Sequence, residues 1–132
     1  MYYLDTNTCI YFLNGNYESV KVKILSTGPN EIAIPSIVKA ELLFRAYKSI
    51  NKKNNIEKIV KFLEPFEIVA FDDSMSQTYA EIRYKAEKIG EIVGPNDLFI
   101  AAIVKFREGT LVTNNDKEFR RIEGLKIENW VR

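Results

Sequence analysis

Five acidic residues in this sequence could act together on a metal ion. Asp5 follows an apolar N-terminal run, Glu41 and Asp97 lie in apolar segments, and Asp116 and Glu118 follow a later apolar run. Hard cations such as Mg²⁺ and Mn²⁺ take carboxylate and water ligands. A carboxylate cluster of this kind suits phosphodiester hydrolysis, because the cation generates hydroxide from water and neutralises charge on the phosphate.

The absence of histidine narrows the chemistry. A chain with no histidine has no imidazole general base, no Ser-His-Asp triad and no histidine-containing metal site. The single cysteine, Cys9, cannot form an internal disulfide or a thiolate zinc site, and we predict that it is a small core residue. Oxygen ligands are therefore the ones to consider.

The composition predicts one compact domain. A chain of 132 residues with 46% hydrophobic content can bury a single core. Nineteen basic residues against eighteen acidic residues give a net charge of +1, so a nucleic-acid partner has to be argued from local clusters. No segment approaches the roughly 20 apolar residues that cross a bilayer, and we expect a soluble, cytoplasmic protein.

Strands alternate with helices along the whole chain, which predicts an α/β domain with a parallel sheet covered on both faces. The predicted strands are residues 2–4, 32–34, 66–71, 110–112 and 125–127. The predicted helices are residues 8–13, 17–25, 37–47, 55–63, a long helix that ends at Gly90, and 96–106. Parallel strands end at one edge of a sheet, so Asp5 and residues 114–116 are expected at the same edge.

The helix that carries Glu41 has apolar residues at helical spacing. Ile37, Ala40, Phe44 and Tyr47 recur every three to four positions, and we predict that they face the core. Glu41 then lies beside this stripe and not on the solvent side. A carboxylate there requires a metal, a cation or hydrogen bonds.

Asp97 falls in the first turn of an almost wholly apolar helix, where the helix dipole favours the ionised form. Each acid also has an ordinary structural interpretation: Asp5 as a turn former, Glu41 as a partner of Arg45, Asp97 as a helix-start residue, and Asp116 and Glu118 as turn and cap residues. Taken singly, none of these residues identifies a site.

The order and spacing of the acidic motifs are more specific. The motifs are Leu-Asp-Thr-Asn at 4–7, Ala-Glu-Leu at 40–42, Gly-Pro-Asn-Asp at 94–97, Thr-Asn-Asn-Asp-Lys-Glu-Phe at 113–119 and Glu-Asn-Trp at 128–130. Over essentially its whole length the chain resembles PIN-domain ribonucleases of the VapC toxin type. The resemblance implies that residues 1–132 form one three-layer α/β/α PIN domain with a central parallel sheet of about five strands.

The resemblance also implies an Mg²⁺- or Mn²⁺-dependent endoribonuclease site. Its metal-binding acids match Asp5, Glu41 and Asp97, and the remaining catalytic acid matches Asn115, Asp116 or Glu118, a choice that the sequence leaves open. The residues expected to orient these carboxylates are Thr6, Asn7, Asn96, Thr113 and Asn115. The implied reaction is in-line attack of metal-activated water on an RNA phosphate.

The same resemblance implies partners. VapC-type toxins form homodimers, are inhibited by a small antitoxin that covers the acidic site, and include relatives that cut initiator tRNA. The basic residues expected to contact RNA are Arg45, Lys48, Lys52 and Lys53 in one cluster and Arg83, Lys85 and Lys88 in another. Three aromatic residues could stack on bases, namely Phe44, Tyr47 and Tyr84, although core packing is the more ordinary role at helical spacing.

Two other functions remain as alternatives. The first is a non-catalytic RNA-binding PIN domain, which loss of one or more acids would indicate. The second is a phosphatase, because Asp-Thr-Asn-Thr at 5–8 loosely resembles the haloacid-dehalogenase enzymes. Those enzymes carry a second aspartate two residues after the first, where this chain has Asn7.

Overall fold

The computed structural model describes residues 1–132 as alternating strands and helices. The strands are β1 (Tyr2–Leu4), β2 (Ile32–Pro35), β3 (Glu67–Val69), β4 (Thr110–Val112) and β5 (Lys126–Glu128). The helices are α1 (Thr6–Asn14), α2 (Glu18–Thr27), α3 (Ser36–Lys48), α4 (Lys52–Leu63), α5 (Ser76–Lys88), α6 (Pro95–Phe106) and α7 (Asp116–Phe119). No helix combines the length and the apolar character that a membrane crossing requires.

The five strands form one sheet in the order β3-β2-β1-β4-β5, and every pair is parallel. The predicted α/β class and the parallel sheet of about five strands are confirmed. Because the chain builds outward from β1 on one side and then crosses to β4 on the other, the strand order reverses at the β1–β4 pair. Ligands in such sheets bind beyond the carboxyl ends of the strands at this reversal.

The centre of the core is β1, β4 and α6. Leu4, Leu111 and Val112 have no exposed surface, and Tyr3 has 1%. Because both faces of the sheet are covered, the central strands are continuous apolar segments in which apolar and polar residues do not alternate. Helix α6 is buried along most of its length, as its apolar sequence predicts.

The inward face of α3 differs from the predicted one. The buried residues are Val38, Leu42 and Ala46, whereas Phe44 is 61% exposed and Tyr47 is 59% exposed. The prediction that the stripe through Phe44 and Tyr47 faces the core is therefore wrong. Helix α3 packs against β2, α1 and α4 through its other apolar stripe, and the predicted stripe is turned outward.

Smaller differences occur at the periphery. Val60 in α4 is 48% exposed and Ile89 after α5 is 65% exposed, although both are large apolar residues. The third strand has three residues where six were predicted, because β3 lies at the sheet edge and pairs only with β2. None of these differences moves the carboxyl edge of the sheet.

Candidate active site

Asp5 lies between β1 and α1 at the carboxyl edge of the sheet. Its side chain caps α1, because Oδ1 accepts a hydrogen bond of 2.9 Å from the backbone N–H of Thr8. Only 6% of the residue is exposed. Burial raises the pKa of Asp5, and hydrogen bonds from Thr113 and Thr8 partly oppose that rise. Asp5 is thus both a helix cap and a buried carboxylate.

Glu41 reaches the same edge from α3. Its Oε1 accepts a hydrogen bond from the Thr6 hydroxyl at 2.5 Å, and its Oε2 accepts one from Nδ2 of Asn96 at 3.2 Å. No ion pair with Arg45 is present, so the ordinary i,i+4 interpretation of Glu41 does not apply. Thr6 and Asn96 hold the carboxylate in place, as expected of residues that orient a site.

Asp97, in the first turn of α6, has a strongly raised carboxyl pKa. Its pKa is raised from 3.8 to about 7. Burial is the largest cause, followed by the charges of Glu118, Asp5 and Glu41, and a hydrogen bond with Glu118 adds to the effect. The four carboxyl groups are therefore close enough to repel one another.

Glu118 supplies the fourth carboxylate. Its Oε1 accepts a hydrogen bond of 3.2 Å from the backbone N–H of Gly94, and its Oε2 accepts one from Nδ2 of Asn115. The turn before α7 is held by a 2.9 Å hydrogen bond from the Asn115 N–H to the Thr113 hydroxyl. Asn115 and Thr113 therefore position site residues, whereas exposed Asn7 borders the groove without a side-chain hydrogen bond.

Asp116, one of the three candidates for the last acid, lies outside this cluster. Its Oδ2 is 2.9 Å from Arg132 and 3.2 Å from Arg120, and it borders a separate polar depression. The structure therefore corrects the expectation that Asp116 belongs with the catalytic acids. Residues 116 and 118 point in opposite directions on one helical turn, about 200° apart, so only one of them can face the cluster.

The cluster opens into a groove of about 800 Å³. Asp5, Glu41 and Asp97 lie in it, and α3 contributes a wall that includes Phe44. The sequence did not indicate Phe99 as a lining residue, because its helix reads as buried throughout. Phe99 is half-buried and stacks on Tyr79 with ring centroids 4.5 Å apart. Phe99 lies three residues after Asn96, on the same face of α6, and this spacing was the available signal.

The first predicted basic cluster divides into two pairs. Arg45 and Lys48 line the acidic groove. Lys52 and Lys53 lie at the start of α4 and border a different shallow depression, away from the carboxylates. Only the first pair is placed to meet a substrate at the cluster.

The second predicted basic cluster lies elsewhere on the protein. Arg83 is bonded to Glu87 at 2.9 Å, Lys85 is 3.7 Å from Glu123, and Lys88 lies over the ring of Tyr84. None of these three basic residues lines the acidic groove. Their predicted contact with RNA therefore lacks support from their position.

The donor set fits a hydrated divalent cation. No lysine or arginine lies within 4.0 Å of the carboxylate oxygens of Asp5, Glu41, Asp97 or Glu118, so their negative charge is uncompensated. The acids do not form a preassembled cage of three or more ligands. Mg²⁺ commonly binds to one or two carboxylates and keeps several waters, and this arrangement accommodates that mode.

The pKa of Asp97 leads to a stability prediction. Between pH 3.8 and about 7 the folded protein holds a proton that the unfolded chain has lost. The contribution of Asp97 to the free energy of unfolding is therefore fully present below pH 3.8 and is lost as the pH rises through about 7. Without metal at about pH 8, Asp97→Asn should have a higher melting temperature than wild type. The difference between the two melting temperatures should shrink as the pH is lowered to about 5. A gap that widens on acidification would contradict this.

Comparison with known proteins gives consistent results. A family model described as PIN domain matches residues 2–125. Ribonuclease VapC2 of Rickettsia felis is 43% identical over 132 residues, covering 98% of each chain. A tRNA(fMet)-specific endonuclease VapC of Salmonella typhimurium is 33% identical over 127 residues, covering 96% of each. A crystal structure of R. felis VapBC2 bound to a promoter DNA fragment matches with a TM-score of 0.89 at 42% identity, covering 98% of both chains.

Proposed function

This chain belongs to the VapC ribonucleases of the PIN-domain family, and from that premise we propose that it is a divalent-metal-dependent endoribonuclease toxin. One observation carries the proposal. Four carboxyl groups, those of Asp5, Glu41, Asp97 and Glu118, meet without a basic partner at the strand-order reversal of a parallel sheet. Such a site is electrostatically unfavourable until a cation enters it.

The chain's own residues hold and orient the reacting groups. Asp5, Glu41 and Asp97 are the proposed metal ligands, with Glu118 completing the acidic set. Mg²⁺ or Mn²⁺, when bound, would stabilise charge on the phosphate and lower the pKa of water so that it can act as a nucleophile.

The supporting residues fix these groups in space. The Thr6 hydroxyl and the Asn96 amide hold Glu41, and the Gly94 N–H and the Asn115 amide hold Glu118. The groove is open to solvent, so a phosphodiester can reach the carboxylates. Asp5 is the most buried of the four acids and would hold a cation from the floor of the groove.

The proposed substrate class is tRNA. The Salmonella relative is named for cleavage of tRNA(fMet), and it matches this chain over 96% of both lengths. Arg45 and Lys48 at the groove supply the positive charge that an RNA backbone requires. Since the substrate is RNA, we place the activity in the cytoplasm.

We also propose a small cognate antitoxin and a homodimer as the partners of this chain. Solved relatives from R. felis and S. typhimurium are described as VapBC complexes bound to DNA. A basic antitoxin side chain would find four unpaired carboxyl groups at the groove, which gives a physical reason for inhibition at this site. We further propose that residues 1–132 constitute one PIN domain.

The two alternatives have less support. A non-catalytic RNA-binding PIN domain would be expected to lack one or more acids, whereas Asp5, Glu41, Asp97 and Glu118 are present here and converge. A haloacid-dehalogenase-like phosphatase would carry a carboxylate two residues after Asp5, where exposed Asn7 stands. Family membership also argues against the phosphatase.

Cleavage of a labelled tRNA pool tests the proposal. Wild type should cut with Mg²⁺ or Mn²⁺ and should not cut with a chelator. Asp5→Asn should lose cleavage while remaining folded, because asparagine is also a good helix N-cap and keeps α1 intact. Asp73→Asn, at an exposed acid outside the groove, is the matched control and should cut normally.

Manganese binding gives an independent measurement. Mn²⁺ should raise the melting temperature of wild type and Asp73→Asn and raise that of Asp5→Asn much less. If wild type cuts no RNA with either ion, or if Asp5→Asn cuts as wild type does, the proposed function is wrong.

A further inference from the structure

Phe44 presents an aromatic ring to the acidic groove. It lies on α3 one turn after Glu41, an axial rise of about 4.5 Å. The residue is 61% exposed and lines the same groove as Asp5 and Asp97. The same groove is lined by Ile37, Ala40, Phe99 and Phe119, so Phe44 belongs to an apolar wall and is not an isolated surface residue.

The surroundings of this ring are cationic. The Nζ of Lys48 lies 4.7 Å from the ring centroid, and Arg45 lines the same groove. Neither Arg45 nor Lys48 has a carboxylate partner within 4.0 Å. An exposed ring with two free cations matches the two parts of a nucleotide, a flat base and a charged phosphate.

We propose that Phe44 and Lys48 form a stacking subsite for one base of the RNA, next to the phosphate that is cleaved. The proposal rests on the proposed ribonuclease function and assigns part of its substrate groove. The base stacks on Phe44, and Lys48, which covers the ring from one side, keeps its ammonium donors for the adjoining phosphate.

The neighbourhood favours RNA over a protein chain. A protein segment would have to bring an apolar side chain for Phe44 and carboxylates for Arg45 and Lys48, and those carboxylates would be repelled by the acids of the same groove. An RNA strand places a phosphate beside each base and so satisfies both features. The subsite is also continuous with the carboxylates, one helical turn away, so a strand bound at the cluster passes over it.

The subsite should be tolerant of base identity. Every base has a π face, so stacking on a single ring adds affinity and positions the strand without reading its sequence. Sequence or structural preference must then arise from other parts of the RNA. Phe44→Tyr should keep the interaction, whereas Phe44→Ala should remove it.

Steady-state cleavage of a tRNA that wild type cuts, or of its stem-loop, measures the effect of Phe44 substitutions on KM and kcat. Phe44→Ala should raise KM about tenfold and change kcat less than twofold, because the ring binds the strand and does not touch the reacting atoms. The Mn²⁺-dependent rise in melting temperature should be unchanged. Phe44→Tyr should restore the wild-type KM.

Tyr47 on the same helix provides a matched control. It is 59% exposed and carries Lys52 over its ring at 5.5 Å, but it does not line the groove. Tyr47→Ala should therefore leave KM within about twofold of wild type. An equal rise in KM for both alanine variants, or no rise for Phe44→Ala, would overturn the proposal.

A binding measurement separates this proposal from the proposed function. The measurement uses the Asp5→Asn background and an RNA stem-loop that carries 2-aminopurine beside the cut position. Binding to the protein should quench the 2-aminopurine fluorescence, and Phe44→Ala should abolish this quenching. If wild type cuts no RNA but this quenching persists, the ribonuclease proposal fails and the subsite stands. If Phe44→Ala instead changes the oligomeric state in size-exclusion chromatography and leaves quenching intact, the ring is a protein contact and the subsite proposal is wrong.

Discussion

Replacing Asp97 by asparagine should abolish RNA cleavage and at the same time stabilise the metal-free fold. A metal ligand supplies several kcal/mol of charge stabilisation, and each 1.4 kcal/mol is about tenfold in rate, so we expect a loss of about 100-fold or more. Cleavage of labelled tRNA under Mn²⁺ measures this loss.

The stability gain follows from electrostatics. In the folded protein burial and three neighbouring acids raise the pKa of Asp97 to about 7, so ionising it near neutrality opposes folding. Asparagine has nearly the same shape and no charge, and its amide can donate to Glu118. Without metal at about pH 8, the melting temperature of Asp97→Asn should therefore be higher than that of wild type. Mn²⁺ should raise the melting temperature of Asp97→Asn less than that of wild type.

Asp116→Asn is the matched control, because Asp116 is an acid of the same kind that lies outside the cluster. Its carboxylate is 16% exposed and pairs with the exposed side chains of Arg120 and Arg132, so the loss of charge should cost about 1 kcal/mol. Cleavage by this variant should stay within about twofold of wild type. If Asp116→Asn is inactive and Asp97→Asn is active, the assignment of the site is wrong.

Replacing Gly109 by alanine should cause the largest loss of stability of any conservative change considered. A Cβ at this position would lie 2.3 Å from Cε1 and 2.7 Å from Cδ1 of Tyr3, and 3.1 Å from the carbonyl oxygen of Met1. Tyr3 is 1% exposed in the central strand, so the added Cβ would meet a ring that is buried in the core. Such overpacking should cost about 3 kcal/mol or more.

Urea unfolding measures the effect of Gly109→Ala, with Gly94→Ala as its control. At Gly94 the nearest heavy atom to an added Cβ is the Oδ2 of Asp97 at 3.8 Å, an ordinary contact. Neither glycine has a positive φ, so the two substitutions differ in space and not in backbone strain. Equal stability of the two variants would show that Tyr3 can move.

The positions of Asp5 and Asp97 were predictable because each depends on local sequence. An apolar run followed by Asp-Thr-Asn ends a strand, and Pro-Asn-Asp before an apolar run starts a helix. The parallel topology then delivers both to one edge of the sheet. The hydrogen bonds of Thr6 and Asn96 to Glu41 also agree with the roles that the family resemblance implied.

The face of α3 was not predictable from spacing. Ile37, Ala40 and Phe44 form one apolar stripe, and Val38, Leu42 and Ala46 form another, rotated from the first by about 170°. Either stripe satisfies helical periodicity. The distinction matters, because it decides whether Phe44 is a core residue or part of the groove.

Local patterns and strand direction in the sequence predicted the fold class, the order of the elements and the arrival of Asp5 and Asp97 at the edge of the sheet. Tertiary structure alone decided that α3 buries Val38 and not Phe44, that Glu118 and not Asp116 completes the cluster, and that only Arg45 and Lys48 border it. These choices depend on how a helix is rotated about its axis, and contacts between elements distant in the chain set that rotation.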